Sequence, residues 1–201
     1  MYIDVVGGLA AIILGYFLGS LSFAHLTARY FGRAGAEELR HGGAGASTMY
    51  RILGPRAGVL VAVGDFSKSA LAVVLAQKLV SPHMGMLAGA AAVAGHNWPV
   101  FYGFRGGRGA AAAAGALLAL VPLALAAGLA VATVTFLLTR NVLVASVALF
   151  LPAVPLAWAL AYPVLAVVYT ALLPGTVAAY TWLAGRHVSP GERWRTTFMR
   201  R

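Results

Sequence analysis

The chain has 201 residues, of which 61% are hydrophobic and only 10% charged, with 24 glycines, no cysteine and a net charge of +10. A soluble domain carries about 25% charged residues, so this chain lacks the polar side chains to cover a globular surface in water. Disulfides, thiolate metal sites and acyl-cysteine intermediates are excluded, and five scattered acids (Asp4, Glu37, Glu38, Asp65, Glu192) are too few for a carboxylate cluster holding magnesium. No metal or cofactor is therefore expected.

Several apolar runs are long enough to cross a hydrocarbon core and are apolar on every side, as in Leu71 to Leu75. A membrane barrel would show period-2 alternation instead. The expected fold is all-α: one polytopic integral membrane domain over residues 1–201, with about seven transmembrane segments.

The first run, about Val5 to Ala28, follows Asp4 and has no positive region before it, so it reads as a retained helix and not a cleaved signal. A basic, glycine-rich segment, Arg29 to Arg56, comes next and closes on Leu53-Gly54-Pro55, a break before a new helix. Helix 2 is expected from about Ala57 to Val80, Ser81-Pro82-His83 makes a turn, and helix 3 returns through about Met84 to Phe101. After the loop 102–109, the 29 residues from Ala110 to Leu138 form either one tilted helix or two broken near Pro122. Helices from about Val142 to Leu160 and Pro163 to Leu183 complete the set.

Charge decides between these options. Thirteen of the fifteen basic residues fall in Arg29 to Arg56, Arg105 to Arg108, Arg140, and Arg186 to Arg201. Cytoplasmic loops collect such residues, and a break at Pro122 puts all four groups on one side, with the N-terminus out and the C-terminus in. Nucleic-acid binding is disfavoured, because no basic stripe interleaved with aromatics lies on a polar domain.

Three polar groups fall at or near that inner face. In Arg40-His41-Gly42-Gly43-Ala44-Gly45-Ala46-Ser47-Thr48-Met49-Tyr50-Arg51, glycines permit an anion-binding concavity of backbone N–H groups, Arg51 adds a guanidinium, and Ser47 and Thr48 are hydroxyl donors or a helix cap. Asp65 and Lys68 share one helix face within a span, as a self-neutralising pair or as a lysine reaching an anion while the aspartate orients it. The third group is Gly95-His96-Asn97-Trp98-Pro99-Val100-Phe101 running into Gly103-Phe104-Arg105-Gly106-Gly107-Arg108-Gly109, where backbone donors, a helix N-terminus and two guanidiniums favour an oxyanion.

These blocks resemble the bacterial acyl-phosphate:glycerol-3-phosphate acyltransferases, seven-helix membrane proteins. That family shows Gly-Ser-Gly-Asn-x-Gly-Ala-Thr-Asn-x-x-Arg-x-Leu-Gly, then Asp-x-x-Lys-Gly, then Gly-His-x-x-Pro-Val-Phe followed by Gly-Phe-Lys-Gly-Gly-Lys-Gly. Order and spacing agree across roughly residues 10 to 145. The chain departs where the family has serine (His41), asparagine (Gly43 and Thr48), glycine (Ser69) and loop lysines (Arg105 and Arg108). The C-terminal motif survives only as Arg186-His187 and Gly191-Glu192.

The resemblance implies acyl transfer from an acyl phosphate to the 1-hydroxyl of glycerol 3-phosphate in a bacterial plasma membrane, on the cytoplasmic side, with the fatty chain between helices. It assigns His96, Arg51, Arg108 and His41 to catalysis. Gly42, Gly43, Gly45, Ser47, Thr48, Asp65, Lys68, Arg105, Gly106, Gly107, Gly109 and Asn141 form the substrate-binding set. Without a cysteine, direct attack by the glycerol hydroxyl is the simplest scheme, and His96, His41 and the leaving phosphate remain open as its base. The competing readings are a divergent paralogue that binds lipid or phosphate with altered or lost activity, and an anion transporter.

Overall fold

The computed structural model describes residues 2–31, 39 and 43–186. Its described elements are helical: α1 (Tyr2–Ser20), α2 (Phe23–Phe31), α3 (Ala46–Leu53), α4 (Pro55–Leu79), α5 (Pro82–Asn97), a 3-10 turn (Val100–Tyr102), α6 (Ala110–Leu120), α7 (Pro122–Thr139), α8 (Val142–Phe150), α9 (Ala153–Ala159) and α10 (Val164–Arg186). Five runs are long and apolar enough to cross a membrane: Val5–Phe31, Pro55–Leu79, Pro122–Thr139, Val142–Ala159 and Val164–Leu183. At 16 and 11 residues, α5 and α6 are shorter.

The expected boundaries shift in three places, while the expected break near Pro122 is present. The first run is divided at Leu21–Ser22 into α1 and α2, and the run from Val142 is divided at Leu151–Pro152 into α8 and α9. The stretch after Ala110 is two helices meeting at Val121, because Pro122 begins α7 where its missing N–H costs nothing. The basic segment after Arg29, expected as a loop, contains α3.

Packing inverts the rule of soluble proteins. On α1 the exposed stripe is Val5, Leu9, Ile13 and Phe17, while Gly8, Ala11, Gly15 and Gly19 are buried. Lipid tails solvate large side chains as well as a protein core does, so the inner face selects for small residues that let backbones close up. A β-carbon added at Gly19 would stand 2.0 Å from the Ala92 carbonyl oxygen, and one at Gly15 would stand 2.6 Å from that of Ala88. From the α5 side, one at Gly95 would meet the Tyr16 carbonyl oxygen at 2.1 Å. This seam fixes α5, and with it His96.

Aromatic contacts align the helix ends. Tyr50 of α3 meets Phe136, one turn before Arg140, edge-on with ring centroids 6.2 Å apart. Trp98, just after α5, meets Tyr180 near the end of α10 at 5.0 Å. The described parts of the basic segments thus share one end of the bundle.

Candidate active site

Two loops meet at that end over the last turn of α5. The Ala44 N–H donates to the Gly106 carbonyl oxygen (3.1 Å), and the Gly107 N–H donates to that of His96 (3.1 Å). Both loops are glycine-rich because they lie close: a β-carbon on Gly107 would stand 2.2 Å from His96 Nε2 and 2.8 Å from the Ala44 carbonyl oxygen. Gly109 has φ +87° before α6, and a β-carbon there would lie 2.6 Å from Asn97 Oδ1. Glycine adopts that conformation without steric cost.

Gly43, Gly45, Gly106 and Gly107 are therefore brought together, beside His96. Ser47, Thr48 and Arg51 follow on α3, with Thr48 buried and Arg51 exposed. The helix cap expected of Ser47 or Thr48 is instead Gly45, whose carbonyl accepts the Thr48 and Met49 N–H groups (3.1 Å each). Both hydroxyl residues lie inside the first turn, two and three residues past the cap position. Arg105 and Arg108 are exposed on either side of the Gly106–Gly107 pair.

Beneath the loops lies a buried cluster. Lys68 Nζ is 2.8 Å from Asp65 Oδ1, donates to the Leu21 carbonyl oxygen at 2.7 Å and lies 3.2 Å from His96 Nδ1. Asp65 and Lys68 are 1% and 4% exposed and His96 5%, so the three groups meet out of water, where charges must compensate one another. The break between α1 and α2 frees the Leu21 carbonyl from helical bonding, and the ammonium satisfies it.

Asn141 stands apart from this cluster in its bonding: its Oδ1 caps α8 by accepting from the Leu143 and Val144 N–H groups (3.0 and 3.3 Å). His41 and Gly42 lie outside the described residues, as do His187, Gly191 and Glu192.

Two participants were not singled out from sequence. Asn97 is 4% exposed, and its Oδ1 has no hydrogen-bond partner among the described residues. Its signal was a lone amide closing an apolar helix. His25, bonded through Nδ1 to Ser22 Oγ (2.7 Å), stacks on Tyr102 with ring centroids 4.1 Å apart, and so ties α2 to the arginine loop. No spacing rule links residues so distant in sequence.

The arrangement suits the binding of phosphorylated groups. Backbone amides and guanidiniums lie at one end of the bundle, and the surrounding helices supply apolar surface. Residues 9–193 match a family model described as glycerol-3-phosphate acyltransferase. A glycerol-3-phosphate acyltransferase of Pseudomonas aeruginosa is 41% identical over 138 residues, covering 67% of this chain and 71% of that protein. Its counterpart in Halalkalibacterium halodurans is 41% identical over 120 residues, 58% of each chain. Among solved structures, the glycerol 3-phosphate form of PlsY, an integral membrane glycerol 3-phosphate acyltransferase, superposes with a TM-score of 0.76 at 32% identity, covering 86% of both chains. The lysophosphatidic acid form gives 0.76 at 30% identity, covering 86% of this chain and 87% of that one.

Proposed function

The chain belongs to the glycerol-3-phosphate acyltransferase family and is a membrane acyltransferase of that kind; we propose that its acyl donor is an acyl phosphate and that its product is lysophosphatidic acid. The glycerol 1-hydroxyl attacks the acyl carbon, a C–O ester bond forms, the bond from that carbon to the phosphate oxygen breaks, and inorganic phosphate leaves carrying, in the net reaction, the hydroxyl proton. Each reactant carries a phosphate, and charge grows on the acyl and bridging oxygens as the bond breaks. Preorganised donors at such oxygens account for much of the rate in acyl transfer.

The observation that carries this reading is the hydrogen bond between Ala44 and Gly106, which joins the two glycine loops beside His96. Arg108 and Arg105 flank the joint, and Arg51 follows on α3. In this reading the guanidiniums hold the phosphates, and the N–H groups of Gly43 and Gly106 face the developing charge, while that of Gly107 is taken up by the His96 carbonyl. Gly42 and His41 belong to the same loop by sequence. The His-x-x-x-x-Asp motif that marks thioester-dependent acyltransferases does not occur in the chain, which favours the phosphate donor.

The bundle is read as seven crossings with the basic end in the cytoplasm of a bacterium. The alignment of Tyr50 with Phe136 and of Trp98 with Tyr180 supports it, since both contacts join ends that follow or precede basic segments. The fatty chain then lies between helices in the bilayer, where lipid is its solvent.

The test is direct. Purified protein given glycerol 3-phosphate and a long-chain acyl phosphate should release lysophosphatidate and phosphate in equal amounts. Turnover with an acyl thioester, and none with the acyl phosphate, would overturn the donor assignment.

A further inference from the structure

Lys68 lies too deep to be an obvious substrate ligand, yet it touches a residue that closes the site. Its two hydrogen bonds run to the Leu21 carbonyl oxygen (2.7 Å) and to His96 Nδ1 (3.2 Å). An ammonium has three protons and no acceptor lone pair, so in the second bond it can only donate. His96 Nδ1 must then carry a lone pair, which places the ring proton of the neutral imidazole on Nε2.

Asp65 does not reverse this assignment. Its Oδ1 is 3.3 Å from His96 Nδ1, but no hydrogen bond of acceptable direction reaches that oxygen among the described residues. At 2.8 Å from the ammonium, the carboxylate is its counter-charge. The lysine, in turn, is held by the break between α1 and α2, by Asp65 of its own helix α4 and by His96 of α5. The opposite ring nitrogen, Nε2, is the one packed against Gly107, where a β-carbon would come within 2.2 Å.

We infer that Lys68 is a positioning residue that locks His96 as the Nε2–H tautomer, so that His96 presents a hydrogen-bond donor and not a base to the glycine loop. A donor there matches a site that must stabilise oxyanions. The general base must be sought elsewhere. The kinetic part of the inference rests on the acyltransferase reading, whereas the tautomer itself does not.

The experiment is nitrogen NMR on the full chain labelled with 15N-histidine in lipid nanodiscs, with the His96 signals identified by their loss in His96→Gln. The expected result is a pyridine-type Nδ1 and a pyrrole-type Nε2. A protonated Nδ1, as either the other tautomer or an imidazolium, would overturn the assignment, and this readout needs no turnover. In Lys68→Met the preference should be lost, and kcat should fall by about 100-fold with little change in KM, the lower range for a positioned proton-donating group. An unchanged His96 signal or an unchanged kcat in that variant would overturn the positioning role. If Lys68→Met does not fold, the wild-type spectrum still decides the tautomer. Absence of activity in the wild type would count against the proposed reaction and leave the spectrum standing.

Discussion

His96 Nε2 occupies the space in front of Gly107 that any larger residue would need for its β-carbon. Gly107→Ala must therefore push the ring or the loop aside by an ångström or more. Misplacement on that scale costs about 100-fold in turnover. Steady-state assays should show this loss in kcat, while the helical circular dichroism of the variant stays that of the wild type.

Arg108 and Arg140 are both exposed and basic, and Arg108 directly follows Gly107 in the glycine loop while Arg140 ends α7. Losing a charge-assisted hydrogen bond costs about 1.5–3 kcal/mol, so Arg108→Ala should lower kcat/KM roughly 10- to 100-fold. Arg140→Ala should leave kcat/KM unchanged. Equal losses in the two variants, measured side by side, would remove Arg108 from the site.

Asp65→Asn leaves the Lys68 ammonium buried without its counter-charge. Breaking such a pair from one side costs about 3–5 kcal/mol, and thermal unfolding in detergent should show a large drop. Replacing both, as Asp65→Asn with Lys68→Met, should restore most of the stability. Activity should stay low, because the contact to His96 Nδ1 is still missing.

Asn141 accepts two backbone N–H groups at the start of α8. Asn141→Ala should cost about 1 kcal/mol of stability, as the loss of a helix cap does. Its kcat/KM should equal that of the wild type. A clear kinetic loss, without a shift in the melting transition, would return Asn141 to the substrate-binding set.

The helical membrane fold was legible in the sequence because apolar run length and charge placement act locally. The break at Pro122 was legible for the same reason. The break at Leu21–Ser22 was not: Gly19 stands two residues before it, as other glycines stand inside helices that continue, and its carbonyl finds its donor 47 residues away, on Lys68. The glycine blocks could be found by their spacing, but their mutual contact through Ala44 and Gly106 is set by tertiary packing. Asn141 shows a second role that the blocks did not reveal: the residue that the resemblance gives to the substrate also caps α8 through its Oδ1.

The seam between α1 and α5 carries a consequence for how this protein can vary. Main chain rests on main chain at Gly19 and Ala92, so at that level of the seam there is no side chain to be trimmed or enlarged in compensation. Drift can act freely on the lipid-facing stripe of Val5, Leu9, Ile13 and Phe17, but the floor under His96 behaves as a rigid joint. New substrate preferences would have to arise from the loops above it.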